Sequence, residues 1–293
     1  MSVLSKLLDS GSFVVTAELN PPKGVAVQDV LSRGKALKGV VDAVNLTDQA
    51  SSVMSMSPLA LAPLVMELGL DVVLQVTCRD RNRIAIQGDL LGAYALGIEN
   101  ILCLTGDPVS LGDHPGAKTV FDMTSIDLLK TAEGLTSGSD MAGNKLKGAP
   151  TFNLGAVVNP CSVDLDTEVR RMQQKVKAGA KFFQTQAVFE LEKLERFMHM
   201  VRPMNVPVIV GIMVLKSGAM ARNVNASLPG IEIPDRIIEE MDNASDGDSA
   251  GVAIAGRLLN SVKEFCNGAH LMTIGRERNI PRVIQAANKL KAP

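Results

Sequence analysis

Eight short apolar runs, each alternating with a segment of helical period, constrain this chain more than any other feature. The runs are 13–19, 41–46, 71–76, 100–104, 152–158, 181–185, 207–212 and 270–274. Most are continuous rather than alternating in polarity. That is the pattern of strands covered on both faces, hence of a parallel sheet. Between them lie helical stretches such as "RNRIAIQGDLLGAYALG", with Ile84, Ile86, Leu90, Leu91, Tyr94 and Leu96 on apolar faces. In "DLDTEVRRMQQKVKAGA", Asp164 or Asp166 suits an N-cap and Gly179 a C-cap. Eight strand-then-helix units point to an α/β fold, a (β/α)8 TIM barrel formed as one domain over 1–293. A doubly wound open sheet is the alternative, but no GxGxxG follows the first strand. The segments 105–121, 136–150 and 214–232 read as loops.

Composition narrows the function classes. A net charge of −1 with interleaved acids and bases argues against nucleic acid, which requires clustered cations. Aromatic residues make up only 3% of the chain, too few for base-stacking platforms. The four cysteines, Cys78, Cys103, Cys161 and Cys266, include no CxxC pair, and no metal set is expected. The longest apolar stretch is interrupted by Pro63, Glu67 and Asp71, so no membrane span is expected. "MSVLSKLLDSGS" lacks the apolar core of a signal peptide. These features together predict a soluble, reducing, cytoplasmic setting.

In a TIM barrel the active site lies at the C-terminal strand ends, so those ends carry the functional reading. They supply Glu18 after the first strand and Thr47, Asp48 and Gln49 after the second. Gln75, Thr77, Cys78 and Arg79 end the third, and Thr105, Gly106 and Asp107 the fourth. Asn159, Gln184 with Gln186, Lys216 and Arg276 end the remaining four. Glu18 sits in an apolar run, where desolvation favours a protonated carboxyl and makes a candidate general acid. Gly106 permits close approach of backbone to a ligand. A mouth of amides and two acids, without a histidine cluster, suits a heteroaromatic substrate or cofactor.

The same strand-end segments, "AELNPPKG", "VTCRDRNR", "LGIENILCLTGDP", "KVKAGAKFFQTQAVF", "VIVGIM" and "HLMTIGR", resemble the methylenetetrahydrofolate reductase family over nearly the whole chain. Within it, the chain is similar to the reductase modules of bacterial proteins that also carry a homocysteine methyltransferase half. The resemblance implies an oxidoreductase of one-carbon metabolism and methionine biosynthesis, a flavoprotein that reduces 5,10-methylenetetrahydrofolate to 5-methyltetrahydrofolate. It implies Glu18 as proton donor to the folate N10 and Asp107 as a carboxylate near flavin and pterin that stabilises an N5 iminium cation. It implies Gln186 and Arg276 as substrate-binding residues. It puts Thr47, Ala50, Gly106, Asn159, Glu168 and Lys175 at flavin positions. Asp48, Gln75 and Thr105 fall at cofactor-site positions where the best-known bacterial members carry Tyr, His and Arg. Their aromatic residue after strand seven is replaced near Gly218. The implied cofactor is FAD, with FMN as the alternative. NADH or NADPH is the implied electron donor, with an electron-transfer partner protein as the alternative, and a homo-oligomer is expected. His114 and Lys118, in the loop after strand four, are candidates to meet the cofactor phosphate.

Overall fold

The computed structural model describes residues 1–228 and 230–289. The expected domain span of 1–293 includes positions 229 and 290–293, which lie outside the described residues. Eight parallel strands close into a barrel in sequence order: β1 (Val14–Leu19), β2 (Ala43–Leu46), β3 (Val72–Thr77), β4 (Asn100–Leu104), β5 (Asn153–Val158), β6 (Phe182–Ala187), β7 (Val208–Met213) and β8 (Gly268–Met272). Helix α1 (Val3–Asp9) precedes the barrel. The outer layer is α2 (Val27–Lys35), α3 (Pro58–Met66), α4 (Arg83–Ala95), α5 (Ser125–Thr136), α6 (Leu165–Lys177), α7 (Leu191–Val201), α8 (Gly218–Ser227), α9 (Asp235–Asp242), α10 (Gly247–Val262) and α11 (Ile280–Lys289). No helix among the described residues is long and apolar enough to cross a membrane.

The continuous apolar runs become strands buried on both faces, the extreme being β7, in which all six residues are buried. One face of each strand packs outward on the helices. The other face fills the barrel in layers. The lowest layer joins Val14, Ala43, Val73, Leu102, Phe182 and Ile209 to Leu4 and Leu8 of α1, which plugs the barrel bottom. Ser2 caps α1, and the Asp71 carboxylate accepts from the Leu4 N–H (2.8 Å) and from Asn100 (3.1 Å), tying the plug to β3 and β4. Gly155 leaves the room that Phe182 fills, since a Cβ there would stand 2.3 Å from the ring.

Above this layer lie two polar contacts. Asn45 of β2 and Gln184 of β6 exchange hydrogen bonds of 2.7 and 3.2 Å, and strands two and six of an eight-stranded barrel lie opposite each other. Thr16 of β1 and His270 of β8 share a hydrogen bond of 2.9 Å. Burial pushes the His270 pKa down to about 4, so the imidazole is neutral at pH 7.

Three expectations change. The last strand begins at Gly268 rather than position 270, and Ile274 lies beyond it in a turn with φ +48°. On α4 the buried face is Ile86, Leu90 and Ala93, while Ile84, Leu91, Tyr94 and Leu96 are exposed. The segment 214–232 is not all loop: Ser217 caps α8 through the Met220 N–H. Asp164 is the N-cap of α6, and Gly179 follows its end with φ +111°.

Candidate functional site

Glu18 is partly buried, one residue before the end of β1, and is in register with Asn45. Desolvation raises its pKa above the ordinary carboxylate range. A hydrogen bond from Asn20 opposes the rise, and the carboxylate of Glu277 adds to it. Asn20 is itself oriented by Thr47, whose hydroxyl donates to its carbonyl oxygen at 2.7 Å. Thr47 therefore acts on Glu18 through Asn20.

The turn after β2 is strained. Gln49, Ser51 and Ser52 all have positive φ (46°, 53° and 58°), each costly for a residue with a Cβ. The strain aims the turn at the end of β4. The Ser51 N–H donates to the Asp107 carboxylate (3.1 Å), and the Ser52 hydroxyl donates to the Asp107 carbonyl (2.9 Å). Arg79, the largest fully buried side chain, binds this junction from beneath. Its guanidinium grips Asp80 with two hydrogen bonds (2.8 and 2.7 Å) and donates to the Ser52 hydroxyl at 2.9 Å. Asp107 is exposed, as is Ala50 on the strained turn.

Asp48 is buried. One carboxylate oxygen accepts from the Thr77 N–H (2.8 Å), the Thr77 hydroxyl (2.9 Å) and Arg81. Arg81 also pairs with Asp89 on α4 at 3.0 Å. Its Nε–H is buried without a partner. A cavity of about 440 Å³ lies here, lined by Asp48, Gln49, Ser52, Arg79, Arg81 and His114 among others. Gln75, on the barrel-facing side of β3, is partly exposed and makes no side-chain hydrogen bond among the described residues.

Gly106 has φ +95°, and a Cβ there would meet the Thr77 and Arg79 Cβ atoms at 3.1 and 3.0 Å. Its missing side chain thus makes room for Thr77 and Arg79. Thr105 beside it is exposed. The loop that follows is latched toward β1 and β2. Asp113 accepts from Lys23, from His114 (2.8 Å) and from the Met54 N–H (3.0 Å), and these bonds, that from Lys23 foremost, hold its carboxyl well below the usual range. Gly112 packs so closely on Ser52 that a Cβ would overlap its carbonyl.

On the far side, Asn159, Glu168 and Lys175 form one group between β5 and α6. The Asn159 N–H donates to Glu168 (2.9 Å), and the Lys175 ammonium donates to the Val157 carbonyl (2.6 Å). Burial lowers the Lys175 pKa, against the pull of Glu168. Gln186 is exposed at a register shift between β6 and β7. The Thr185 hydroxyl accepts from the Gly211 N–H at 2.9 Å, and a Cβ on Gly211 would meet the Thr185 and Gln186 carbonyls at 2.7 and 2.8 Å. The bulge and its glycine thus set the direction of Gln186. Arg276 is paired with Asp248 of α10. Gly218 is buried against Asp242 and offers no platform for a ring.

Sequence reasoning missed Glu277 and Asn20 and gave Arg79 no role. Arg79 stands in "CRDRNR" and Glu277 in "GRERN", both read as strand ends, where neither stretch shows which of its charges turns inward. Only their burial, 2% and 1% exposed, marks them as internal.

A family model described as methylenetetrahydrofolate reductase matches residues 3–288. Methylenetetrahydrofolate reductase 2 of Schizosaccharomyces pombe is 26% identical over 232 residues, 74% of this chain and 36% of that protein. A probable methylenetetrahydrofolate reductase (NADPH) of Caenorhabditis elegans is 25% identical over 303 residues, 97% of this chain and 43% of that protein. The chain thus spans less than half the length of these relatives. Among solved structures it is similar to oxaloacetate acetylhydrolase (TM-score 0.55, 11% identity, 98% of this chain and 84% of that one). It is also similar to tryptophan synthase from M. tuberculosis (TM-score 0.53, 12% identity, 99% of this chain and 97% of that one). Such low identities show the barrel fold alone.

Proposed function

Because the chain belongs to the methylenetetrahydrofolate reductase family, we propose that its barrel mouth reduces 5,10-methylenetetrahydrofolate to 5-methyltetrahydrofolate with a bound flavin. The single observation that carries this reading is Glu18, a carboxyl at a barrel strand end that burial favours in its protonated form. Asp107 stands in contrasting surroundings, exposed and held by the Ser51 N–H. Two carboxyl groups in such different environments suit one proton donor and one charge stabiliser.

The residues present fit a flavin nucleotide. The cavity of about 440 Å³ is of ligand size, and the orphaned Arg81 Nε–H in the same cluster is a donor without an acceptor. Gln75, the backbone at Thr105 and Gly106, Thr47 and Ala50 would hold the ring system, with Asn159, Glu168 and Lys175 toward β5 and His114 and Lys118 toward phosphate. The bound flavin, FAD or FMN, supplies a hydride.

The side chains do the rest. Glu18 gives its proton to the folate N10, the C–N10 bond opens, and the substrate becomes an N5 iminium cation. Asp107 offsets that positive charge in a site from which bound substrate excludes water. Gln186, aimed by the bulge, and Arg276 orient the pterin and its tail. The unpaired cysteines accord with a reducing, cytoplasmic setting.

The test begins with the colour of the purified protein. It should be yellow and release flavin on denaturation, and methylenetetrahydrofolate should reoxidise its reduced form. Protein that stays colourless and binds neither added FAD nor FMN would overturn the reading. Glu18→Gln should keep flavin reduction while losing folate reduction by the ~10²–10⁴-fold of a missing general acid. A second reading, in which a partner protein donates the electrons, is favoured by Gly218, whose burial against Asp242 leaves no ring platform for a nicotinamide. Reduction by dithionite but by neither NADH nor NADPH would favour it.

A further inference from the structure

Glu277 is buried in the short helical turn Glu277–Asn279 that follows β8, with 1% of its surface exposed. One carboxylate oxygen accepts from Arg33 Nη1 of α2 at 2.6 Å. The other oxygen is buried and has no hydrogen-bond partner. A half-satisfied buried carboxylate is costly to a fold, and a fully apolar packing would serve stability as well or better. The fold gives no reason for this group. Its surroundings do.

The turn that holds Glu277 packs against β1, where Glu18 is the acid, and the Glu277 charge opposes ionisation there. The other groups around Glu18 cannot do this. Asn20, just past β1, acts in the opposite direction, and Asn45 of β2 and Thr47 just past it are uncharged. From β8 His270 is held neutral by burial. Arg276 and Arg278, which flank Glu277 in sequence, are both drawn to Asp248 of α10. Arg33 reaches only the oxygen of Glu277 that faces α2, so the pair retains a bare anionic oxygen.

We propose that Glu277, anchored by Arg33, is a positioning residue for the proton donor: its buried, half-paired carboxylate keeps the proton on Glu18 until substrate takes it. The inference rests on the reading of Glu18 as that donor, but it makes a statement about the Glu18 proton that can be measured without turnover. Removal of the charge at position 277 lowers the Glu18 titration midpoint. It also moves the alkaline limb of folate reduction to lower pH, because less of the donor is protonated at any pH above the midpoint.

The test is a carbon-13 NMR titration of protein labelled with [δ-¹³C]glutamate, in which the resonance absent from Glu18→Gln belongs to Glu18. In Glu277→Gln the midpoint should fall by at least about half a pH unit, roughly a threefold loss of protonated donor at alkaline pH. Glu277→Asp keeps the charge beside Arg33 and should restore most of the shift. If Glu277→Gln fails to fold, the double variant Arg33→Met/Glu277→Gln removes both charges without stranding either, and the same fall is expected. An unchanged midpoint in these neutral variants overturns the proposal, as does an equal fall in Glu277→Asp. A midpoint that falls while the pH profile of folate reduction stays fixed supports the Glu277 assignment and instead removes Glu18 as the donor.

Discussion

The amide pair across the barrel can be weighed by removing it in two ways. Asn45→Leu leaves the Gln184 amide buried, at 3% exposure, without the two hydrogen bonds it makes now. An unsatisfied buried donor or acceptor costs about 1–3 kcal/mol, and Gln184 would lose one of each, so the expected loss is about 2–6 kcal/mol. Gln184→Met strands Asn45 in the same way and should cost a similar amount. The double variant Asn45→Leu/Gln184→Met replaces both polar groups by apolar ones of like shape, a change that can be close to neutral. Its loss should therefore fall short of the summed single losses by at least about 2 kcal/mol, as expected of directly contacting residues. Urea unfolding followed by circular dichroism gives the four free energies, with equal slopes as the check on comparable unfolded states. Single losses that add to the double loss within about 0.5 kcal/mol would refute the argument that each amide is held there by the other.

Two further outcomes follow from the strand ends and the interior. Gly211→Ala forces a methyl group against two carbonyls of the β6 bulge, and overpacking of this kind should cost about 1–3 kcal/mol. Thermal melts should record the loss, and folate binding should weaken because Gln186 is re-aimed; unchanged folate affinity would sever the bulge from the site. His270, with its pKa near 4 in the fold and 6.5 as the reference value, stays neutral where the unfolded chain takes up a proton. Its contribution is therefore intact above about pH 6.5 and is lost as pH falls toward 4, a swing of roughly 3 kcal/mol that a variant without this imidazole, such as His270→Asn, should lack in pH-dependent unfolding.

The barrel was legible because its strands are apolar on both faces, a pattern that survives any detail of packing. Runs such as "VIVGIM" could be little else once helical segments separated them. Edges were less legible. Gly268 and Ala269 start β8 because neighbours β1 and β7 pair with them, a long-range fact with no local signal. Tyr94 looked internal on α4 because its hydrophobicity says nothing about which side of the helix the barrel takes. At the mouth, Glu18 and Asp107 could be located from the strand ends alone. Glu277 could not, because a glutamate between two arginines in sequence gives no sign that the arginines turn to Asp248 while the glutamate turns inward.

The stack beneath Glu18 also sets the direction of proton traffic. Leu4 and Leu8 close the barrel from below, a layer of aliphatic and phenyl side chains lies over them, and a neutral imidazole and two locked amides complete the seal. Among the described residues, the side chains of that column are apolar or uncharged. On the proposed reading, a donor at Glu18 is recharged through the same opening that substrate fills. It is then loaded before substrate binds and reloaded after release, one proton for each encounter.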